Sequence, residues 1–333
     1  MKRILLSLFL FLTFTANGKT VRVADYATPN DGLDDSGDFQ LAINNLRNGG
    51  GGTLEIGNGT WFLKDGLNLT SATNYVSYLI KGDKGAIIQV DAGQSANIFY
   101  AGNVNQLELK DLVFIGSGET YDVGRIALTN FTEKVKVSGC QFYGIRAKEE
   151  MFWLGNVDAE FEHTQFAGST GDNAVIYGYE NLKSLTVDNV NFVDFGNFGI
   201  NYYSKVGASA WIKVEGLASQ PTNFNAPSVT VNRSRFDEGA TRAVWIKNIP
   251  DVAITNIAVN VSGITDGAGV IFDNVPYGII EGSTFGYTAN VRPAVRLLNN
   301  SNARVSRLKF GGGVYFADID GTSAARVSYC PMC

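Results

Sequence analysis

The chain has 333 residues, with 38 Gly, 7 Pro, 18% charged residues and a formal net charge of −5. That length can bury one long core, and the acidic balance argues against a nucleic-acid partner. It does not exclude an acidic polysaccharide, because a local basic cleft can hold one on an acidic protein.

Residues 1–18 read as a secretory signal peptide. Lys2 and Arg3 form a basic start, Ile4 to Phe14 an apolar run, and Ala16-Asn17-Gly18 a small-residue cleavage site. The run is too short to span a bilayer comfortably, so no membrane span is expected. The mature chain would begin near Lys19, and losing Lys2 and Arg3 takes the formal charge to about −7. The expected location is secreted, periplasmic or cell-surface.

Residues 19–52 lack the periodicity of the rest of the chain and are expected to cap a single domain running over 19–333. Val21–Ala24 reads as a strand and Pro29 to Gly32 as a turn. Asp35 or Ser36 would cap a short helix carrying Phe39, Leu41, Ile43 and Leu46, which Gly49–Gly52 ends. Thr53–Ile56 is again a strand. Such a helix would cover the open end of a stack of strands.

From residue 107 the chain repeats. Each unit has an apolar residue, a second two later, and usually Phe seven after the first. The units are Leu107/Leu109/Phe114, Val135/Val137/Phe142, Ala159/Phe161/Phe166, Leu185/Val187/Phe192, Val229/Val231/Phe236, Val252/Ile254/Val259, Gly278/Ile280/Phe285 and Ala303/Val305/Phe310. Their starts differ by 28, 24, 26, 44, 23, 26 and 25 residues. A period in that range means a solenoid, and alternation by two means strands.

The unit near residue 245 divides into three strands. Val244 and Ile246 point in, with Trp245 and Lys247 out. Val252 and Ile254 come next, Thr255-Asn256 makes a corner, and Ile257 and Val259 form the third strand. At about 4.8 Å per rung, ten rungs would give a rod of about 48 Å with a Phe column inside. Asn130, Asn156, Asn181, Asn248, Asn274 and Asn299 recur after the first strand as turn residues that bond backbone. The 44-residue gap predicts an inserted loop at 204–227, holding Trp211, Pro221 and Pro227, which could wall one side of a cleft. Of the three Cys, Cys140 is expected to be buried, and Cys330 and Cys333, in the tail 321–333, suit a terminal disulfide.

The segment DYATPNDGLDDSGDFQLAINNL…GGGTLEIGNGTW, within 21–63, resembles the opening of the pectate-lyase-like superfamily of right-handed parallel β-helices. The resemblance covers residues 21 to about 325 once the repeats are included. It implies an all-β, single-stranded right-handed parallel β-helix of about ten rungs with three strands each. A weaker resemblance, over 147–247, is to the polygalacturonase family. TGDNAVIYG at 170–178 is similar to that family's TGDDCIAIK-type segment. The likeness implies that Asp172 is a general acid, that Glu150 matches the Asp of the NTD motif, and that Lys247 matches the substrate-binding Lys of the RIK motif. Asn173 stands where the second Asp belongs, Trp245 replaces the Arg of RIK, and Gly196-Asn197-Phe198-Gly199 replaces the histidine rung. His163, the single histidine, is expected at a corner on another face.

Three constellations could carry chemistry on the first-strand face. Glu150 and Asp172 on adjacent rungs could act as acid and base; inversion needs carboxyls about 6.5–9.5 Å apart. Solvated turn acids are the competing reading. Arg242, Lys247, Arg292 and Arg296 could neutralise and deprotonate a uronate in a lyase, with calcium a possible cofactor held by Asp172, Asp194, Asp237 and Glu238. Surface charge pairing is the competing reading. Trp153, Tyr203 and Trp245 fall on outward positions where they could stack on sugar rings, unless the 204–227 segment covers them. Asn173 and Asn201 complete the expected substrate-binding set.

The resemblance, with these constellations, implies a protein that binds a polysaccharide and cleaves it as a glycoside hydrolase or polysaccharide lyase, with a uronate-containing glycan the expected substrate. The alternatives are a non-catalytic glycan-binding adhesin or tailspike-like protein and a purely structural surface protein, as monomer or homotrimer.

Overall fold

The computed structural model describes residues 18–72, 76–117, 121–193, 210–217, 227–237, 242–260, 268–286 and 292–328. The expected signal segment 1–17 and the tail cysteines Cys330 and Cys333 lie outside them.

Alternating burial within short runs gives strands that stack in parallel into three sheets. Sheet A has twelve strands, from Lys19–Arg22 to Ala324–Ser328, and sheet B has ten, from Gly59–Leu63 to Lys309–Phe310. Sheet C also has twelve. Every pairing is parallel and joins a strand to one a turn away, as Val135 with Leu107 and Ala159. The result is an all-β parallel solenoid of about nine turns with, among the described residues, one α-helix, close to the ten rungs expected.

The sequence repeat and the structural register coincide. Leu107, Val135, Ala159, Leu185, Val229, Val252, Gly278 and Ala303 are successive register partners in sheet A. Inside, Phe114, Phe142, Phe166, Phe192 and Phe236 stack at 4.9, 4.9, 5.1 and 4.9 Å between ring centroids. Parallel in-register strands force that spacing, because each strand adds about 4.8 Å and the rings must follow it. Cys140 is buried beside this column. Burial pushes its thiol up to about 12, which makes it a packing residue and a poor nucleophile.

Corners are made by residues with left-handed backbone. Between sheets A and B they include Asp111, Gly139, His163, Asn189, Arg233, Asn256, Gly282 and Arg307, with φ between 48° and 65°. His163 thus sits at an A–B corner, away from sheet C. Between sheets C and A the left-handed residues include Asn156, Asn248, Asn274 and Asn299, as the Asn column suggested. At two expected positions the neighbour takes the turn instead: Phe131 for Asn130, and Glu180 for Asn181. Asn130 is the last residue of its strand and pairs with Gly102 and Gly155. The column is knitted by side chains: Asn248 Nδ2 donates to the Gly216 carbonyl at 3.0 Å, and Asn274 Nδ2 to Asn248 Oδ1 at 2.9 Å.

The helix Ser36–Asn48 buries Phe39, Ala42, Ile43 and Leu46, the i, i+3, i+4, i+7 set of one helical face. Leu41, expected among them, is 56% exposed, because it lies off that stripe. Phe39 meets Trp61 edge-on at 5.9 Å, which docks the helix on the first turn. Asp35 is the N-cap residue, yet its carboxylate accepts from the Phe62 amide instead of capping; Asp34 accepts from the Ser36 amide and hydroxyl. Gly52 comes after the helix with φ 139°, where a Cβ would stand 2.0 Å from the Lys19 carbonyl oxygen, so only glycine fits.

The expected 204–227 insert is not one loop. Ala210–Gly216 within it is a strand of sheet C, paired with Ala174–Glu180 and Val244–Lys247. Trp211 is 3% exposed, packs on Phe192 at 5.5 Å and donates through Nε1 to the Asp237 carbonyl at 3.1 Å. It is a core residue and walls no cleft.

Candidate functional site

Sheet C turns one face outward, and register decides what stands side by side there. Trp153, Tyr177, Lys213 and Trp245 are successive partners on four neighbouring strands. Beside them runs a second column of Gly155, Tyr179, Glu215, Lys247 and Asp273. Three strand intervals separate Trp153 from Trp245, about 14 Å at the usual spacing.

The aromatic groups form a continuous surface. The Trp153 ring lies 6.1 Å from Tyr179, which lies 5.8 Å from Tyr177. Gly155 makes this possible: a Cβ there would meet the Trp153 ring at 2.5 Å, so the glycine lets the indole lie down on the sheet. Lys213 Nζ sits 4.8 Å from the Trp245 ring centroid and 5.5 Å from that of Tyr177, and the Arg242 guanidinium lies 4.8 Å from the Trp245 ring. Cations over indole faces are favourable by electrostatics, and they hold the rings in place. The buried Trp245 Nε1 makes no hydrogen bond among the described residues.

A polar chain crosses the same strands. Glu150, 7% exposed, accepts from Arg125 Nε at 3.1 Å through Oε2 and from Asn173 Nδ2 at 2.8 Å through Oε1. Arg125 also pairs with Glu149. Asn173 Oδ1 accepts from Lys213 Nζ at 3.2 Å, Lys213 pairs with Glu215 at 3.2 Å, and the Tyr177 hydroxyl donates to Glu215 at 2.7 Å. Burial, reinforced by Glu215 and Glu150, pushes the Tyr177 phenol far above its ordinary value, which keeps it a donor at neutral pH. Asp172 accepts from the Tyr121 hydroxyl at 2.9 Å, and the Arg146 guanidinium covers the Tyr121 ring at 4.7 Å.

The expected residues divide accordingly. Glu150, Asn173, Trp153, Trp245, Arg242 and Lys247 come together on this face, with Asp172 at its edge. Of the expected cations, Arg242 lies over the Trp245 ring, Lys247 faces Asp273 at 3.9 Å, and Arg296 pairs with Asp318 at 3.0 Å farther along the sheet. Asp237 pairs with Arg235 at 2.9 Å. Asn201, Tyr203, Asp194, Glu238 and the Arg292 side chain lie outside what is described. Among the described residues no three of His, Cys, Asp or Glu form a group that could hold a metal.

Residues of the strip absent from the set expected on sequence grounds include Arg125, Tyr177, Tyr179, Lys213 and Glu215. Tyr177 was within reach, since it lies one repeat after Trp153 and must share its column. Lys213 and Glu215 were hidden because their strand reads as part of a long insertion.

No family model matches the chain, and no curated protein matches it in sequence. Solved structures are similar to it in fold. The tailspike protein of Acinetobacter baumannii phage AM24 matches 91% of this chain at 14% identity and a TM-score of 0.53. The tailspike of E. coli bacteriophage HK620, in complex with a pentasaccharide, matches 92% at 16% identity and 0.53. The A-module of the Azotobacter vinelandii mannuronan C-5 epimerase AlgE4 matches 93% of this chain and 95% of its own length, at 14% identity and 0.50. The chain spans 55% of the AM24 tailspike and 65% of the HK620 tailspike. Identities this low establish the fold: a right-handed parallel β-helix, the class the sequence resemblance implied. Among the described residues no helix is long and apolar enough to cross a membrane.

Proposed function

We propose that this protein is an exported or surface-located β-helix that binds a polysaccharide along the outward face of sheet C. The observation that carries the reading is the register-aligned strip Trp153–Tyr177–Lys213–Trp245 with the polar chain from Arg125 to Glu215 woven through it. Sugar rings offer apolar faces that stack on indole and phenol, and hydroxyls that need donors and acceptors together. This strip supplies both over several rungs, in the direction in which a chain of sugars would lie. The fold of carbohydrate-engaging neighbours, such as the HK620 tailspike with its pentasaccharide, accords with it. The basic start and apolar run of residues 2–14 support export.

The test is Trp245→Ala, assayed by affinity electrophoresis or calorimetry against a glycan panel. Loss of a central aromatic anchor should cost about 2 kcal/mol, roughly thirtyfold in affinity. Unchanged affinity would sink the assignment of this face.

Cleavage is the second reading, favoured by one observation: a buried carboxylate, Glu150, hydrogen-bonded to the residue directly after Asp172 on the next turn. In a hydrolase one of these carboxylic acids would protonate the glycosidic oxygen while the other carboxylate takes a proton from the attacking water. Asp172→Asn and Glu150→Gln would then abolish the release of reducing ends while glycan affinity persists. A lyase would survive both changes, fail in Lys247→Ala or Arg242→Ala, and generate ultraviolet-absorbing unsaturated uronates.

A further inference from the structure

The charge pattern of the strip points to the kind of glycan it takes. A site built for a polyuronate needs cations whose charge is directed at ligand carboxylates. Here the described cations of sheet C are engaged by the protein itself. Arg125 pairs with Glu149 and Glu150, Lys213 with Glu215, Lys247 with Asp273, and Arg296 with Asp318. Arg146 and Arg242 lie over the rings of Tyr121 and Trp245. Four of these six cations therefore already meet protein carboxylates, and the other two lie against aromatic rings.

Resting on the glycan-binding reading, we infer that the ligand is a neutral polysaccharide, held by ring stacking and by hydroxyl hydrogen bonds to Glu150, Asn173, Lys213 and Glu215. This departs from the uronate ligand that the sequence resemblance implied. Each uronate carboxylate would enter the field of Glu215 and Glu149, and would have to displace a protein carboxylate to reach Lys213. A neutral sugar loses nothing to that field. Its hydroxyls can donate to the carboxylates and accept from Lys213 and the Asn173 amide without breaking an ion pair.

The experiment titrates the purified full chain, by intrinsic tryptophan fluorescence, with neutral oligosaccharides (gluco-, galacto-, xylo- and N-acetylglucosamine series) and with oligogalacturonate and oligomannuronate of equal length. Each titration is run at about 0.05 M and about 0.5 M NaCl, where the screening length shrinks severalfold. The expected result is binding of a neutral series with the same affinity at both salts, and at least about tenfold weaker binding of either uronate. Glu215→Gln, which removes the carboxylate that occupies Lys213, should gain uronate affinity that the higher salt abolishes. Tighter uronate binding by the unaltered chain, or no uronate gain in Glu215→Gln, would overturn the inference while leaving glycan binding intact. Binding of neither class would defeat the glycan reading on which it rests, and the inference with it.

Discussion

Asn173 is the residue on which the polar chain turns, and changing it to Asp gives a sharp test of the network. Its amide donates to Glu150 Oε1 at 2.8 Å and accepts from Lys213 Nζ at 3.2 Å. An aspartate would turn the first contact into a carboxylate pair. At an effective dielectric constant of about 20, two like charges at that separation repel by about 6 kcal/mol, and the attraction to Lys213 returns about 5 kcal/mol. The hydrogen bond lost to a charged acceptor adds about 1.5–3 kcal/mol. Asn173→Asp should therefore destabilise the fold by about 3 kcal/mol at about pH 7.5. Repulsion raises the folded-state pKa of the new pair above its unfolded value near 4. The loss is then absent below about pH 4, where the added carboxyl keeps its proton and donates to Glu150 again, and grows as the pH rises through the raised value. Urea midpoints at the two pH values measure it. A loss under about 1 kcal/mol at the higher pH, or the same loss at both, would refute the network.

Phe142 stacks on Phe114 and Phe166 and meets Phe152 edge-on at 5.5 Å, so Phe142→Ala should cost about 5 kcal/mol in chemical denaturation; Phe310→Ala, near the last turn, should cost well under half of that. Burial holds the Asp35 carboxyl above its ordinary value against the bond from the Phe62 amide, and Asp31, Asp38 and Asp34 push the same way. The folded state therefore binds that proton more tightly than the unfolded chain and loses stability as pH rises through the raised value. Asp35→Asn should gain stability over the parent between about pH 4 and pH 7, and a difference independent of pH would reject the assignment. Gly155→Ala should lift the Trp153 indole off the sheet and weaken glycan binding with little change in melting temperature, which calorimetry of both properties separates.

The solenoid was legible because its information is periodic. A two-residue alternation and a Phe every turn are each repeated often enough to fix register, and register alone places Trp153 and Trp245 on one face. The Asn column was legible for the same reason, since corners need left-handed backbone and Asn tolerates it. The 204–227 segment was not, because spacing cannot tell a strand flanked by longer connections from a single loop. Trp211, which points inward on that strand, therefore reads as part of a cleft wall. The polar chain was least legible. Glu150 and Asn173 stand out as acid and amide at repeat-equivalent positions, but Arg125, Lys213 and Glu215 acquire meaning only when neighbouring strands set them side by side. The partners of the cations were hidden for the opposite reason: sequence counts charges on a face but does not show which carboxylate each one meets.

The central claim, that a glycan lies along the outward face of sheet C, is tested most directly by fluorine NMR of the chain labelled with 5-fluorotryptophan. The chain has four tryptophans: Trp61 and Trp211 are buried in the core, and Trp153 and Trp245 stand on the strip. With each resonance assigned by single Trp→Phe changes, addition of a bound oligosaccharide should shift Trp153 and Trp245 and leave Trp61 and Trp211 in place. A ligand that binds while the Trp153 and Trp245 resonances stay unmoved would contradict the account.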